Sequence, residues 1–222
     1  AEMLGGTWYP VMKGGQAKRW FGAEIETVNW RNDGAEVKAY IVDRYPYLNG
    51  KWEWVAKNPE FYFREGAAYS AVSTGGLYLR WMPDGYICEH ASNAIYPDAT
   101  GWSSIMLTGL FNSNLAQYIV GLNETININI DDLLRMPVFD IDEARKLEPL
   151  VTKCILRRMW ADTFVEQFVR FIVPLRWGEG TLPISSNSRQ LDQLEAQLNS
   201  EVFHLYGIPP DIRAMIEPTF EP

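Results

Sequence analysis

The sequence predicts an α+β chain, with a β-rich, mainly antiparallel N-terminal lobe followed by a helical C-terminal part. Three observations predict it. Over residues 1–100, short runs of Trp, Tyr, Val and Ile are broken by Gly14-Gly15, Asn32-Asp33-Gly34, Asn49-Gly50, Gly75-Gly76 and Asp84-Gly85. Turn dipeptides between β-formers are the signature of hairpins. Next, Leu107, Leu110/Phe111, Leu115, Tyr118/Ile119 and Leu122 recur at three- and four-residue spacing, which lines one face of a helix. Last, Leu191, Leu194, Leu198, Val202 and Leu205 form a second helical seam. The division expected is a lobe over residues 1–138, closed by a helix at about 103–122, and a helical region over residues 139–222.

Within the lobe, Asn49-Gly50 between Tyr45-Pro-Tyr-Leu and Lys51-Trp-Glu-Trp is the clearest hairpin signal, with Trp52 and Trp54 on one strand face. Asn58-Pro59-Glu60-Phe61 reads as a turn leading into a strand. After the closing helix comes a β-branched segment, Thr125-Ile-Asn-Ile-Asn-Ile, then a helical turn stopped by Pro137. Asp142 to Trp160 carries a helical pattern that Pro149 should kink or restart. Arg176-Trp-Gly-Glu-Gly-Thr-Leu-Pro reads as a loop. Asn187 with Gln190 is a capping-box signal for the last helix, which Gly207 and Pro209-Pro210 end.

The 222 residues suffice for a sizeable core. No run of about 18 apolar residues exists, so no membrane contact is expected. Ala1-Glu-Met-Leu-Gly-Gly has neither a basic nor an apolar leader region, and the missing initiator Met fits an excised piece of a longer protein. Two cysteines, Cys88 and Cys154, exclude a disulfide scaffold and fit a cytoplasmic protein. Cys88, Glu89 and His90 are a weak metal cluster, because strand alternation points the Glu away from the other two. Net charge is −8, unlike a free-standing DNA binder, but it is unevenly spread. Residues 1–80 hold ten basic and nine acidic side chains, whereas residues 81–222 hold ten and nineteen. Only the first part could face a polyanion; the acidic remainder suits protein partners or solvent.

Several passages together resemble a known family. Gly109-Leu-Phe-Asn-Ser-Asn-Leu, Thr125-Ile-Asn-Ile and Met136-Pro-Val resemble a helix, strand and Pro-Val step in the specificity half of large adenine-specific DNA methyltransferases. Trp8-Tyr-Pro-Val-Met-Lys-Gly-Gly, Arg19-Trp-Phe-Gly and Asn29-Trp-Arg-Asn-Asp-Gly resemble the start of that domain. Asn58-Pro-Glu-Phe-Tyr-Phe-Arg-Glu-Gly-Ala-Ala-Tyr-Ser and Gly76-Leu-Tyr-Leu-Arg continue it. Trp160, Phe164/Glu166, Pro174-Leu175 and Glu201-Val-Phe-His-Leu-Tyr-Gly-Ile resemble its helical tail. The chain is most similar to the C-terminal target-recognition region of PglX-like (BREX phage-exclusion) enzymes, with type IIG/IIL restriction-modification enzymes next.

The resemblance implies a parent that methylates adenine N6 at a short site in double-stranded DNA. Its cofactor S-adenosylmethionine would sit in an N-terminal methyltransferase part of the same polypeptide. Neither a Gly-rich cofactor loop nor an (Asn/Asp)-Pro-Pro-(Tyr/Phe) loop occurs here; Asn58-Pro59-Glu60-Phe61 lacks the second Pro. The chain alone is therefore expected to hold no cofactor, no metal and no catalytic residue. Other phage-defence proteins could dock on its acidic half. What remains is recognition chemistry, which needs base-edge donors and acceptors beside cations that set phosphate register. The candidates are Lys13, Lys18, Arg19, Arg31, Tyr69, Ser70, Ser73 and Arg80, with Arg80 and Arg31 the most suited to a guanine edge. Two rival readings rest on other residues. A carbohydrate-binding module would stack sugars on Trp20, Trp30, Trp52 and Trp54. A protein-interaction module would use the acidic second half.

Overall fold

A computed structural model of the chain describes residues 7–14, 18–22, 26–73, 76–97, 101–122, 126–166, 171–174 and 182–217. Gly5-Gly6, Gly15, Gly75, Thr125, Leu175 and most of the expected loop at 176–183 lie outside the described residues. The α+β class holds: among the described residues, six strands lie in the first half, and the second half is helical.

Two three-stranded sheets form the N-terminal half. In the first, β1 (Trp8–Met12) pairs antiparallel with β2 (Thr27–Asn29) and parallel with β5 (Ile87–Cys88). In the second, β3 (Gly66–Ser70) lies between β4 (Leu79–Met82) and β6 (Ser92–Ile95), antiparallel to both. The β3–β4 hairpin spans the expected Gly75-Gly76 turn. At Gly76, φ is +103°, and an added Cβ would lie 2.8 Å from the Gln117 amide oxygen, so only glycine fits. Asp84-Gly85 is also a turn, with Gly85 at φ +85°, but it hands the chain from one sheet to the other.

Two hairpin expectations fail. Asn32, Asp33 and Gly34 do turn the chain, all three left-handed, but they lead into helix α1 (Arg31–Arg44) rather than a second strand. Ala35, Glu36, Lys38 and Ala39 favour helix, and Val37 with Ile41 packs inward at i,i+4. Asn49-Gly50 joins two 3-10 turns, Pro46–Leu48 and Trp52–Trp54, not two strands. Tyr45-Pro46 has no free N–H at residue 46 for a ladder, so the aromatic runs coil instead. Asn58, left-handed, leads a third 3-10 turn, Pro59–Phe61, ahead of β3.

The closing helix is two helices, α2 (Ser104–Asn112) and α3 (Asn114–Gly121). Ser113 breaks the run with ψ 152°, and its hydroxyl accepts from Ala116 N to cap the second helix. Ser103 caps the first in the same way. The β-branched segment pairs briefly with residues 71–73, with Ile128 N on Ala71 O at 2.9 Å and Ser73 N on Ile126 O at 2.9 Å. The turn before Pro137 is α4 (Ile130–Leu133), capped reciprocally by Asn129 and Asp132. After α5 (Ile141–Ala144), Pro149 sits in the first turn of α6 (Glu148–Asp162) and so restarts the helix rather than kinking it.

Helix α7 (Leu182–Leu205) begins before Asn187, which is therefore not its cap. Asn187 is instead buried, its amide donating to the Arg157 carbonyl at 3.2 Å across the α6–α7 contact. Leu198 and Val202 are fully buried, as the seam requires. Gly207, at φ +60°, ends the run, and Pro210 opens a short helix, α8 (Pro210–Ile216), that the sequence pattern did not indicate.

One apolar cluster runs from Trp20 through Tyr69, Leu79, Leu110 and Val151 to Leu198 and Ile216, so it crosses residue 138. Strand alternation gives the second sheet two buried faces. Ala67, Tyr69 and Leu79 face the helices, while Ala68 and Met82 pack with Met12 and Tyr86 against the first sheet.

Candidate nucleic-acid interface

The outer edge of β4 decides how the basic loop is held. A free strand edge exposes N–H and C=O groups that must be satisfied or covered. Among the described residues no strand pairs with it beyond an isolated bridge from Trp20 to Arg80. The Asn112 side chain accepts from Leu79 N at 2.9 Å and donates to Leu79 O at 2.8 Å. Gln117 repeats the arrangement one step along the strand, accepting from Leu77 N at 2.9 Å and donating to Leu77 O. The next stretch of the edge is closed by the loop around Trp20, with Trp20 N on Leu79 O and Trp81 N on Trp20 O, both 2.9 Å. Asn112 and Gln117 are both buried, so the polar positions within the apolar helical run form a backbone clamp.

Glu195 of α7 grips the same loop. Its carboxylate accepts from Trp20 Nε1 at 2.5 Å and lies 3.6 Å from the Arg19 guanidinium. Arg19 also stacks over Tyr78, 5.1 Å from the ring centre. The acidic helix thus fixes the basic loop that precedes it by some 175 residues.

The candidate residues divide sharply. Lys13, at the end of β1, is partly exposed and pairs with Glu26 at 2.7 Å. Lys18 and Arg19 lie partly exposed on the loop that Glu195 holds. Arg31 is exposed at the other end of the first sheet, beside Trp8, roughly 16 Å along the strand from Lys13. Ser73 is half-buried next to the Ile126 pairing.

Arg80, Tyr69 and Ser70, by contrast, are 1%, 1% and 8% exposed. Arg80 pairs in register with Ala68, so alternation turns it into the gap between the sheets, where its guanidinium donates to the Lys13 carbonyl. It sets the position of Lys13 and cannot reach a base edge from there. Tyr69 is part of the helix-facing core, and burial raises its phenol pKa. None of the three presents its side chain at the surface. Gly14 is placed by close approach: an added Cβ would lie 1.9 Å from Ala91 O. Its N–H donates to Glu89 at 3.2 Å.

Of the tryptophans considered as platforms, Trp20 and Trp30 are buried at 1% and 6%, and Trp52 is half-buried. Only Trp54 of the four stands clear, and it sits on a 3-10 turn rather than a strand.

A cleft of about 850 Å³ lies between α1 with its following turns and the β5–β6 side of the molecule. Trp30, Tyr62 and Tyr96 line it, with Asn58, Cys88 and Asp131 as polar groups. Among the described residues, no three His, Cys, Asp or Glu side chains cluster as a metal site would need. No described helix is long and apolar enough to cross a membrane. Burial pushes the Cys88 thiol up to about 11 and that of Cys154 up to about 12. Since the thiolate is the reactive form, neither should be modified readily by iodoacetamide at pH 8 in the native chain. Both should label once the chain is unfolded, and prompt native labelling of Cys88 would contradict its raised thiol pKa.

No family model matches the chain. Comparison with curated proteins places it among relatives of the adenine-specific methyltransferases. It is 29% identical over 150 residues to the adenine-specific methyltransferase BrxX of Escherichia coli O9:H4 (strain HS), a stretch covering 67% of this chain and 11% of that protein. It is 25% identical over 132 residues to the adenine-specific methyltransferase PglX of Lacticaseibacillus casei (strain Zhang), covering 60% of this chain and 11% of the relative. The chain is thus related to the PglX-like enzymes, and the matched stretch spans about a tenth of either.

Proposed function

We propose that this chain is the DNA target-recognition region of a site-specific adenine-N6 methyltransferase of the phage-exclusion type. One observation carries the reading. The chain matches two adenine-specific methyltransferases over about a tenth of their length, while its own sequence lacks both the cofactor loop and the adenine loop. Methylation and S-adenosylmethionine binding then belong to another part of the polypeptide, and this part holds the duplex while the adenine is extruded. The geometry supports a division of labour. Lys13 and Arg31 supply cations at the two ends of the first sheet, and Lys18 and Arg19 supply them on the loop that Glu195 holds. Arg80 holds the backbone at Lys13, and Asn112, Gln117 and Glu195 hold the strand edge and loop around Trp20.

Phosphate contacts released one by one should reduce salt dependence one by one. Replacing Lys13, Lys18 and Arg31 by Gln is expected to weaken binding to all duplex sequences alike, and to reduce the magnitude of the slope of log K against log salt by about one per lost contact. Fluorescence anisotropy across a salt series reads both quantities. A triple variant with unchanged affinity and slope would remove the phosphate-positioning role from these residues.

A further inference from the structure

The segment after α1 has a surface that the recognition reading does not use. Pro46–Leu48 and Trp52–Trp54 form two 3-10 turns around Asn49 (φ 51°) and Gly50 (φ 81°). Its own backbone bonds hold it: Asn49 N to Pro46 O, Lys51 N to Leu48 O and Val55 N to Trp52 O, at 3.0–3.1 Å. Beneath it, the Lys38 ammonium lies 4.3 Å from the Trp52 ring and pairs with Asp33 at 2.6 Å. In and beside this segment, Tyr40, Tyr47 and Trp54 are 63%, 74% and 66% exposed. Lys51 reaches over Trp54, 6.0 Å from the ring centre, and Arg44 and Lys57 are exposed close by in sequence. Residues 38–57 carry four basic and two acidic side chains in a chain whose net charge is −8.

We infer that residues 40–57 form a stacking platform for unpaired DNA bases, an inference that rests on the chain meeting DNA at all. Exposed rings interleaved with cations match single-stranded nucleic acid, whose bases stack and whose phosphates need counter-charge. A neutral sugar would use the rings but has no need of the cations. A base inside a duplex hides both faces, so Trp54 can stack only where a base is freed. Extruding a nucleotide for chemistry creates such a place.

The test uses the whole 222-residue chain and three labelled DNAs at low salt: a paired duplex, the same duplex with a short bulge, and a single strand. The bulged and single-stranded forms should bind more tightly than the paired one. Trp54→Ala and Tyr47→Ala should each weaken those two by on the order of ten-fold, with Trp54→Phe largely retained and the paired duplex almost unaffected. Both rings are exposed, and circular dichroism confirms that the variants fold. The inference is overturned if Trp54→Ala leaves the bulged DNA unchanged or weakens the paired duplex equally. It is also overturned if a soluble oligosaccharide, rather than DNA, loses binding in Trp54→Ala. Paired-duplex binding by the wild-type chain without preference for the bulge sinks the platform and spares the recognition reading. Absence of all DNA binding sinks both. Dependence on Trp54 with indifference to Lys13, Lys18 and Arg31 spares the platform alone.

Discussion

Replacing Asn112 and Gln117 together by Ala is expected to bring the chain close to unfolding. The two amides are 2% and 5% exposed and satisfy the outer edge of β4 at Leu77 and Leu79. Removing them leaves two buried N–H groups and the Leu77 carbonyl without those partners; Leu79 O still accepts from Trp20 N. Each orphaned buried group costs about 1–3 kcal/mol, so the double variant loses on the order of 5 kcal/mol from a total stability of about 5–15. Gln117 also donates to Phe111 O at 2.9 Å, across the break between α2 and α3, so its loss loosens that junction as well. Thermal melting should show each single variant lowered by several degrees and the double variant by on the order of 10 °C or more. A double variant melting within a degree or two of the wild type would mean that water or neighbouring groups replace the clamp.

That clamp marks where sequence reading ended. The helical periodicity of Leu107 to Leu122 identified the element, and the turn signals at Gly76 and Gly85 located real turns. Asn112, Ser113 and Asn114 could be recognised as an interruption, yet periodicity is silent on what a buried amide bonds to. Gln117, set in the same run, gave no signal at all. Arg80 was misplaced for a more instructive reason. Its type suits base recognition, but Leu79, Arg80, Trp81 and Met82 alternate on a strand buried on both faces, and on such a strand even an arginine points inward. The strand's neighbours decide that, not its own residues. The α1 segment was lost because Val37, Tyr40, Ile41 and Val42 are β-formers locally. The helix-favouring Ala35, Glu36, Lys38 and Ala39, with Val37 and Ile41 turned into the cleft, outweigh that local preference. Glu195 shows the remaining limit. Nothing in an exposed-looking heptad announces that its carboxylate reaches back to Trp20 and Arg19. Because that contact and the shared core tie the C-terminal helices to the basic loop, residues 1–138 should not be moved without them.

The central claim is that this chain chooses which adenine is methylated, and exchanging it whole between two related methyltransferases tests that claim most directly. Sequence preference resides in contacts to base edges, each good bidentate pair contributing about 1–3 kcal/mol of discrimination. The chimera should therefore keep its donor's catalytic rate but methylate the site of the protein that supplied this chain. Single-molecule sequencing of genomic DNA from cells carrying the chimera, and from cells carrying each parent, reads all three modified motifs directly. The account predicts that the motif travels with these 222 residues; a motif that stays with the catalytic donor, in a chimera that folds and methylates, would contradict it.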